Sequence, residues 1–78
     1  MDINNVPMVR VTWRDARDTE TGWIDVKDII AAPLATCQEV GWMVVNNDEK
    51  IVIMRSWCLD RDDNHGGGAI ALPKGWIT

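Results

Sequence analysis

The 78-residue sequence has no phenylalanine and no tyrosine, and only one histidine, one serine, two cysteines and three prolines. These scarcities narrow the chemistry. A Ser- or His-dependent nucleophilic site would have to use Ser56 and His65. Ser56 has no G-x-S-x-G elbow around it, and His65 falls in a glycine-rich stretch. Zinc would need Cys37, Cys58 and His65 together, without any C-x-x-C spacing. No catalysis, metal or cofactor is therefore expected. No apolar run approaches the roughly 20 residues that span a bilayer. The start, MDINNVP, has neither a basic segment nor an apolar one, so it does not resemble a signal peptide. A cytoplasmic protein with no membrane partner is the expectation. Cys37 and Cys58 are then expected as buried thiols rather than a disulfide.

The chain is 46% hydrophobic and 26% charged, with net charge −4 and a pI near 4.6. That composition is globular. An acidic domain is poorly suited to neutralising a phosphate backbone, so long nucleic acid is not an expected partner. One basic pocket for a small anion remains open. Five tryptophans, Trp13, Trp23, Trp42, Trp57 and Trp76, are spread along the chain and are expected mainly as core or interface anchors. With no linker and no repeat, residues 1–78 read as one domain. A domain this small buries only about 60% of its unfolded surface, which favours added support from oligomerisation.

The central stretch is Val40 to Cys58: VGWMVV, then NNDEK, then IVIMRSWC. Two apolar runs around a short polar connection predict a β-hairpin. It is apolar on both faces, with Val40, Trp42 and Val44 expected on one side and Met43 and Val45 on the other. It therefore needs cover on both sides. Trp42 is expected to be buried there.

Upstream, Asp2–Pro7 reads as a loose arm. Met8–Asp15 alternates, placing Val9, Val11, Trp13 and Asp15 on one face, the pattern of a half-buried strand. Residues 16–21 read as a turn, followed by a very short strand at Trp23 and Ile24. Asp25–Ala32 predicts a helix capped by Asp25, with Asp28 in a capping-box position and Pro33 as its stop. Its stripe of Val26, Ile29 and Ile30 is the candidate cover for one hairpin face. Downstream, Leu59–Gly68 reads as a mobile acidic, glycine-rich loop. Ala69–Leu72 is a strand ended by Pro73, Lys74–Gly75 a turn, and Trp76–Ile77 a last short strand. The expected fold is mainly β (α+β): a small, strongly bent antiparallel sheet or SH3/Sm-like barrel of four to five strands with one short helix.

Four segments carry a family resemblance: V-T-W-R-D-A at Val11–Ala16, V-G-W at Val40–Trp42, D-E-K-I-V-I at Asp48–Ile53, and I-A-L-P-K-G-W-I at Ile70–Ile77. Together they resemble a group of small phage and prophage proteins. In these a strand ending W-x-D is followed by a short helix, an S-V-G-type hairpin and a closing I-P-K strand. Here Glu39 stands where Ser is common and Leu72 where Ile is common. The resemblance implies a compact bent sheet similar to Sm-like or SH3-like barrels, oligomeric, in the cytoplasm of an infected bacterial host. By analogy it implies an immune-evasion sponge that binds a nucleotide signal without cleaving it.

The candidate ligand-binding residues are Trp13, Asp15, Arg55, Trp57, His65, Gly67 and Lys74. Trp13 offers a stacking face and Asp15 an acceptor for a base or ribose. Arg55 and Trp57, two apart on one strand, can hold a phosphate and stack a base, although packing with a surface ion pair is the commoner meaning of such a pair. Gly66–Gly68 could bring amides to a phosphate or close as a lid over a ligand, and Lys74 follows Pro73 in a turn. The loop also opens like a calcium site, with Asp60, Asp62 and Asn64. However, His65 replaces the required Gly, and Ala71 stands where a bidentate Glu should close the site. The function expected is a non-enzymatic homo-oligomer that sequesters a small anionic ligand, a nucleotide signal. The alternative is an interaction module docking on a host or virion protein.

Overall fold

The computed structural model describes residues 2–18, 22–60 and 64–78. It is mainly β, with one sheet of four antiparallel strands and a second of two. The strands are β1 (Met8–Asp15), β2 (Ala35–Asn46), β3 (Lys50–Met54), β4 (Ser56–Trp57), β5 (Gly66–Gly67) and β6 (Ile70–Pro73). The larger sheet has the order β1-β2-β3-β6, and β4 pairs with β5. The one α-helix, α1, is Val26–Ile30.

β1 follows its alternation. Val11 and Trp13 are buried and Val9 half-buried. β2 begins at Ala35, earlier than the hairpin pattern indicates, and pairs with β1 from Met8–Trp42 to Asp15–Ala35. The N-terminal segment is not a loose arm. Ile3–Asn5 forms a 3-10 turn capped by the Asp2 side chain, and the Pro7 carbonyl accepts from Met43 N–H at 2.9 Å.

The hairpin forms as expected between β2 and β3, with one change. The register shifts between Met43 and Val45, so Val44 is an extra residue, a β-bulge. Past the bulge Val45 opposes Val52, which lies between buried Ile51 and Ile53 and so faces away from the core. Val45 therefore shares the outer face with Trp42, not the inner face with Met43. Asn47 organises the turn: its Oδ1 accepts from the N–H groups of Glu49 and Lys50, both at 2.9 Å.

The segment expected to be a mobile glycine loop is partly strand. Lys50–Pro73, Ile53–Ile70, Ser56–Gly67 and Trp57–Gly66 share one register, and Cys58 N–H continues it to the His65 carbonyl at 2.8 Å. β3/β4 and β5/β6 are thus two halves of one long hairpin, interrupted at Arg55 opposite Gly68. Gly68 has φ +64, a left-handed conformation that glycine adopts without steric cost. Arg61, Asp62 and Asp63 lie outside the described residues, so the middle of the calcium-like pattern does as well; of the expected turn at 16–21, Thr19, Glu20 and Thr21 also lie outside.

The core is Val11, Trp13, Ile51, Ile53 and Leu72, with Val9, Cys37, Met43, Ile70 and Ile77 packed against it. Ile53 is fully buried between Met43 and Ile70 on the flanking strands. After β6 the chain makes a 3-10 turn over Lys74–Trp76, so Trp76 is not in a strand. Ile77 then bridges to Trp13, and Thr78 N–H donates to the Thr12 carbonyl at 3.0 Å. The segment beyond β6 thus returns to the β1 edge. The sheet does not close into a barrel among the described residues.

Three expectations fail in the connection between β1 and β2. Trp23 and Ile24 are not in a strand. The helix is five residues long, and Asp25 makes no side-chain capping bond. The helix also covers nothing: Val26, Ile29 and Ile30 are 68%, 49% and 80% exposed. The outer hairpin face keeps its apolar row of Met8, Trp42 and Met54, and Trp42 is half-buried rather than buried. Cys37 and Cys58 are half-buried thiols with no disulfide between them. No helix among the described residues is long and apolar enough to cross a membrane.

Candidate functional site

The C-terminal return to β1 builds a cleft. As Ile77 meets Trp13, the end of β1, the 3-10 turn and Leu34 just before β2 line a space of about 380 Å³. Its wall includes Arg14, Asp15, Leu34, Trp76, Ile77 and Thr78. The volume lies within the range typical of small-molecule sites.

Each chemical group there has a structural reason for its position. Asp15 is held on both sides: Oδ2 accepts from Trp13 Nε1 at 3.2 Å and Oδ1 from Ala16 N–H at 2.7 Å. Its carboxylate is thereby fixed at the strand end, half-buried. Arg14, next along the strand, is exposed and makes no ion pair among the described residues. Trp76 is held by the 3-10 turn and is 44% exposed, so part of its ring is open to the cleft. The Thr78 hydroxyl lies 3.4 Å from the Thr12 carbonyl and donates to it. A cation, an acceptor, an aromatic surface and a hydroxyl thus surround one space. Such a set can stack a planar ring, accept from its N–H or hydroxyl groups and pair with an anionic group.

The residues singled out from the sequence fall in three places rather than one. Asp15 is at the cleft. Trp13 is beneath it, only 5% exposed and inside the core. Its indole is enclosed, so it cannot present a stacking face, and its role is to orient Asp15.

Arg55, Trp57, His65 and Gly67 belong to the β4/β5 hairpin. Arg55 Nε lies 3.5 Å from Glu39 Oε1 and donates to the Gly68 carbonyl at 3.3 Å, so this guanidinium already has partners. The two-residue spacing does not give Arg55 and Trp57 common neighbours. Trp57 meets Trp42 edge-to-face, with ring centroids 5.7 Å apart, and donates to Asn64 Oδ1 at 2.8 Å. His65 is exposed and its carbonyl carries the ladder. The Gly67 carbonyl accepts from Arg55 N–H at 3.2 Å, so this glycine is tied into a strand and is not a lid. A smaller hollow of about 260 Å³, lined by Val44, Met54, Trp57, Asn64 and Gly66, lies beside this hairpin.

Lys74 stands apart from both groups, with Nζ donating to Asn46 Oδ1 across the β2–β3 turn. Among the described residues, no group of three His, Cys, Asp or Glu side chains is placed to hold a metal.

Sequence reasoning missed Arg14 and Trp76. Arg14 lies between two residues that were singled out, and Trp76 follows the Pro73 turn. Only the return of the C-terminus to β1 brings the two together. No protein-family model, curated protein or solved structure matches the chain.

Proposed function

We infer that the chain is a non-enzymatic, phage-type binding protein. It sequesters a small anionic ligand with a planar ring, a nucleotide signal, and acts as a homo-oligomer. One observation carries the ligand half of this reading. Arg14, Asp15, Trp76 and Thr78 line a single cleft of about 380 Å³ at the end of β1. Trp76 supplies the stacking surface and Arg14 the phosphate contact, with Asp15 accepting from the base or ribose. This assignment replaces Trp13, whose indole is buried in the core, and Arg55, whose Nε faces Glu39 and the Gly68 carbonyl.

The test is calorimetry with cyclic dinucleotides and ADP-ribose-type nucleotides on wild type, Arg14→Ala and Trp76→Ala. Binding by wild type that either substitution weakens tenfold or more supports the site. Wild type that binds none of these ligands ends the nucleotide reading. The docking-module alternative would then lead, because the exposed Trp23, Val26, Ile29, Ile30 and Leu34 offer an apolar surface for another protein.

A further inference from the structure

The segment from Gly22 to Leu34 does not pack against the core. Trp23 is 105% exposed, Ile30 80%, and Leu34 54%. No residue of α1 is buried. An isolated helix of five residues is far below the roughly 12–15 needed for even marginal stability in water, so α1 has little stability of its own.

The dimensions agree. The radius of gyration is 17.2 Å and the extents are 58 × 25 × 17 Å. A compact domain of this length has a radius of about 11.5 Å. The chain exposes 6068 Å², against roughly 4,800 Å² for a compact monomer of its mass. The excess, roughly 1,300 Å², is more than the ~800 Å² that each partner buries in a standard interface.

The same chain has an apolar surface that lacks cover. On the outer sheet face Met8 and Val40 are 56% and 54% exposed, flanking half-buried Trp42. Exposed Arg10 lies opposite Val40 on that face, and the helical segment carries Asp25 and Asp28 with Lys27 between them, so it is net acidic. A net acidic apolar arm and an apolar face with a basic residue are complementary. Both are on every copy, as a two-fold dimer requires.

We propose that the chain forms a two-fold homodimer in which the Gly22–Leu34 arm of each subunit lies across the Met8–Val40–Trp42 face of the other. This rests on the self-association half of the proposed function and draws no argument from the ligand. The arm gives the helix its missing contacts, and the exchange covers the outer side of the hairpin.

Light scattering on the full chain at tens of micromolar is expected to give twice the 8.8 kDa chain mass. Ile29→Asp with Ile30→Asp, and separately Val40→Asp, are expected to give monomers. All three positions are largely exposed, so the core should survive, as circular dichroism would check. Under mild oxidation, a mixture of Ile30→Cys and Val40→Cys chains should cross-link, while neither variant alone does. Three results would each overturn the proposal: a monomeric wild type, a dimer unaffected by either aspartate variant, or cross-linking of Ile30→Cys only with itself. A dimer that binds no nucleotide supports this interface and overturns only the ligand reading.

Discussion

Gly41→Ala gives a sharp probe of the β2–β3 contact. Gly41 is buried on β2 opposite Val9, where the neighbouring strand approaches closely. A Cβ built there would lie 2.5 Å from Ile53 Cγ2, 2.6 Å from the Met54 carbonyl oxygen and 3.1 Å from the Met54 carbonyl carbon. Two of these neighbours are backbone, and the third belongs to the one fully buried side chain of the core. Neither can yield without moving β3, which would disturb both of its ladders. Overpacking of this kind costs about 1–3 kcal/mol, and the rigid neighbours place Gly41→Ala at the upper end. A domain this size has a total stability of about 4–12 kcal/mol. At about 4–8 °C per kcal/mol, the midpoint should fall by roughly 10–20 °C. Gly75→Ala is the control. Nothing lies within 4 Å of its Cβ, so its effect should stay within about 0.5 kcal/mol. Thermal and urea unfolding should be followed at one fixed concentration, because an oligomer's midpoint depends on concentration. A Gly41→Ala midpoint within about 2 °C of wild type would refute the close strand approach.

Five further substitutions separate the roles assigned here. Trp13→Ala should cost about 3–5 kcal/mol as a core deletion, and Trp42→Ala less, because Trp42 is only half-buried; equal or reversed losses in urea would contradict the face assignment. Asn47→Ala removes the acceptor for two turn amides and should cost about 1–2 kcal/mol in the same assay. Gly68→Ala forces a side chain into φ +64, with its Cβ 3.0 Å from Arg55 Nε, and should lower stability by about 1–2 kcal/mol; no change would place the hairpin interruption elsewhere. Trp76→Ala should leave the melting midpoint within about 3 °C while weakening nucleotide binding, which calorimetry alongside melting resolves.

The parts of the fold legible in the sequence are those that rest on local pattern. The alternation of Met8–Asp15 places Val11 and Trp13 in the core because β side chains have a period of two. The same rule misassigns Val45. A bulge at Val44 adds one residue, and every side chain beyond it changes face. Nothing local in VGWMVV marks that insertion. Gly66–Gly67 fails for a different reason. Composition marks it as a loop, but pairing with Ser56 and Trp57 continues a register set by the apolar residues of β3 and β6, so tertiary context overrides propensity. The helix has its amphipathic stripe and its Pro33 stop, yet periodicity records only that a face is apolar, not which surface that face meets.

The site was less legible than the fold because it depends on where the chain ends meet. Asp15 was placed by its position at a strand end. The cation and aromatic beside it are Arg14 and Trp76, 62 residues apart in the chain, and the return of Ile77 and Thr78 to β1 unites them. That bridge also links the site to the core. Trp13 is at once the largest buried side chain on β1 and the donor that orients Asp15, so a loosened core would release the carboxylate. The arm ends at the cleft wall, because Leu34 lines the cleft and closes the exposed segment. An arm held on a partner would therefore fix Leu34, and with it one wall of the cleft. Binding and self-association are then coupled, and by linkage a ligand that prefers the ordered wall must tighten the dimer by the same factor that the dimer tightens ligand binding.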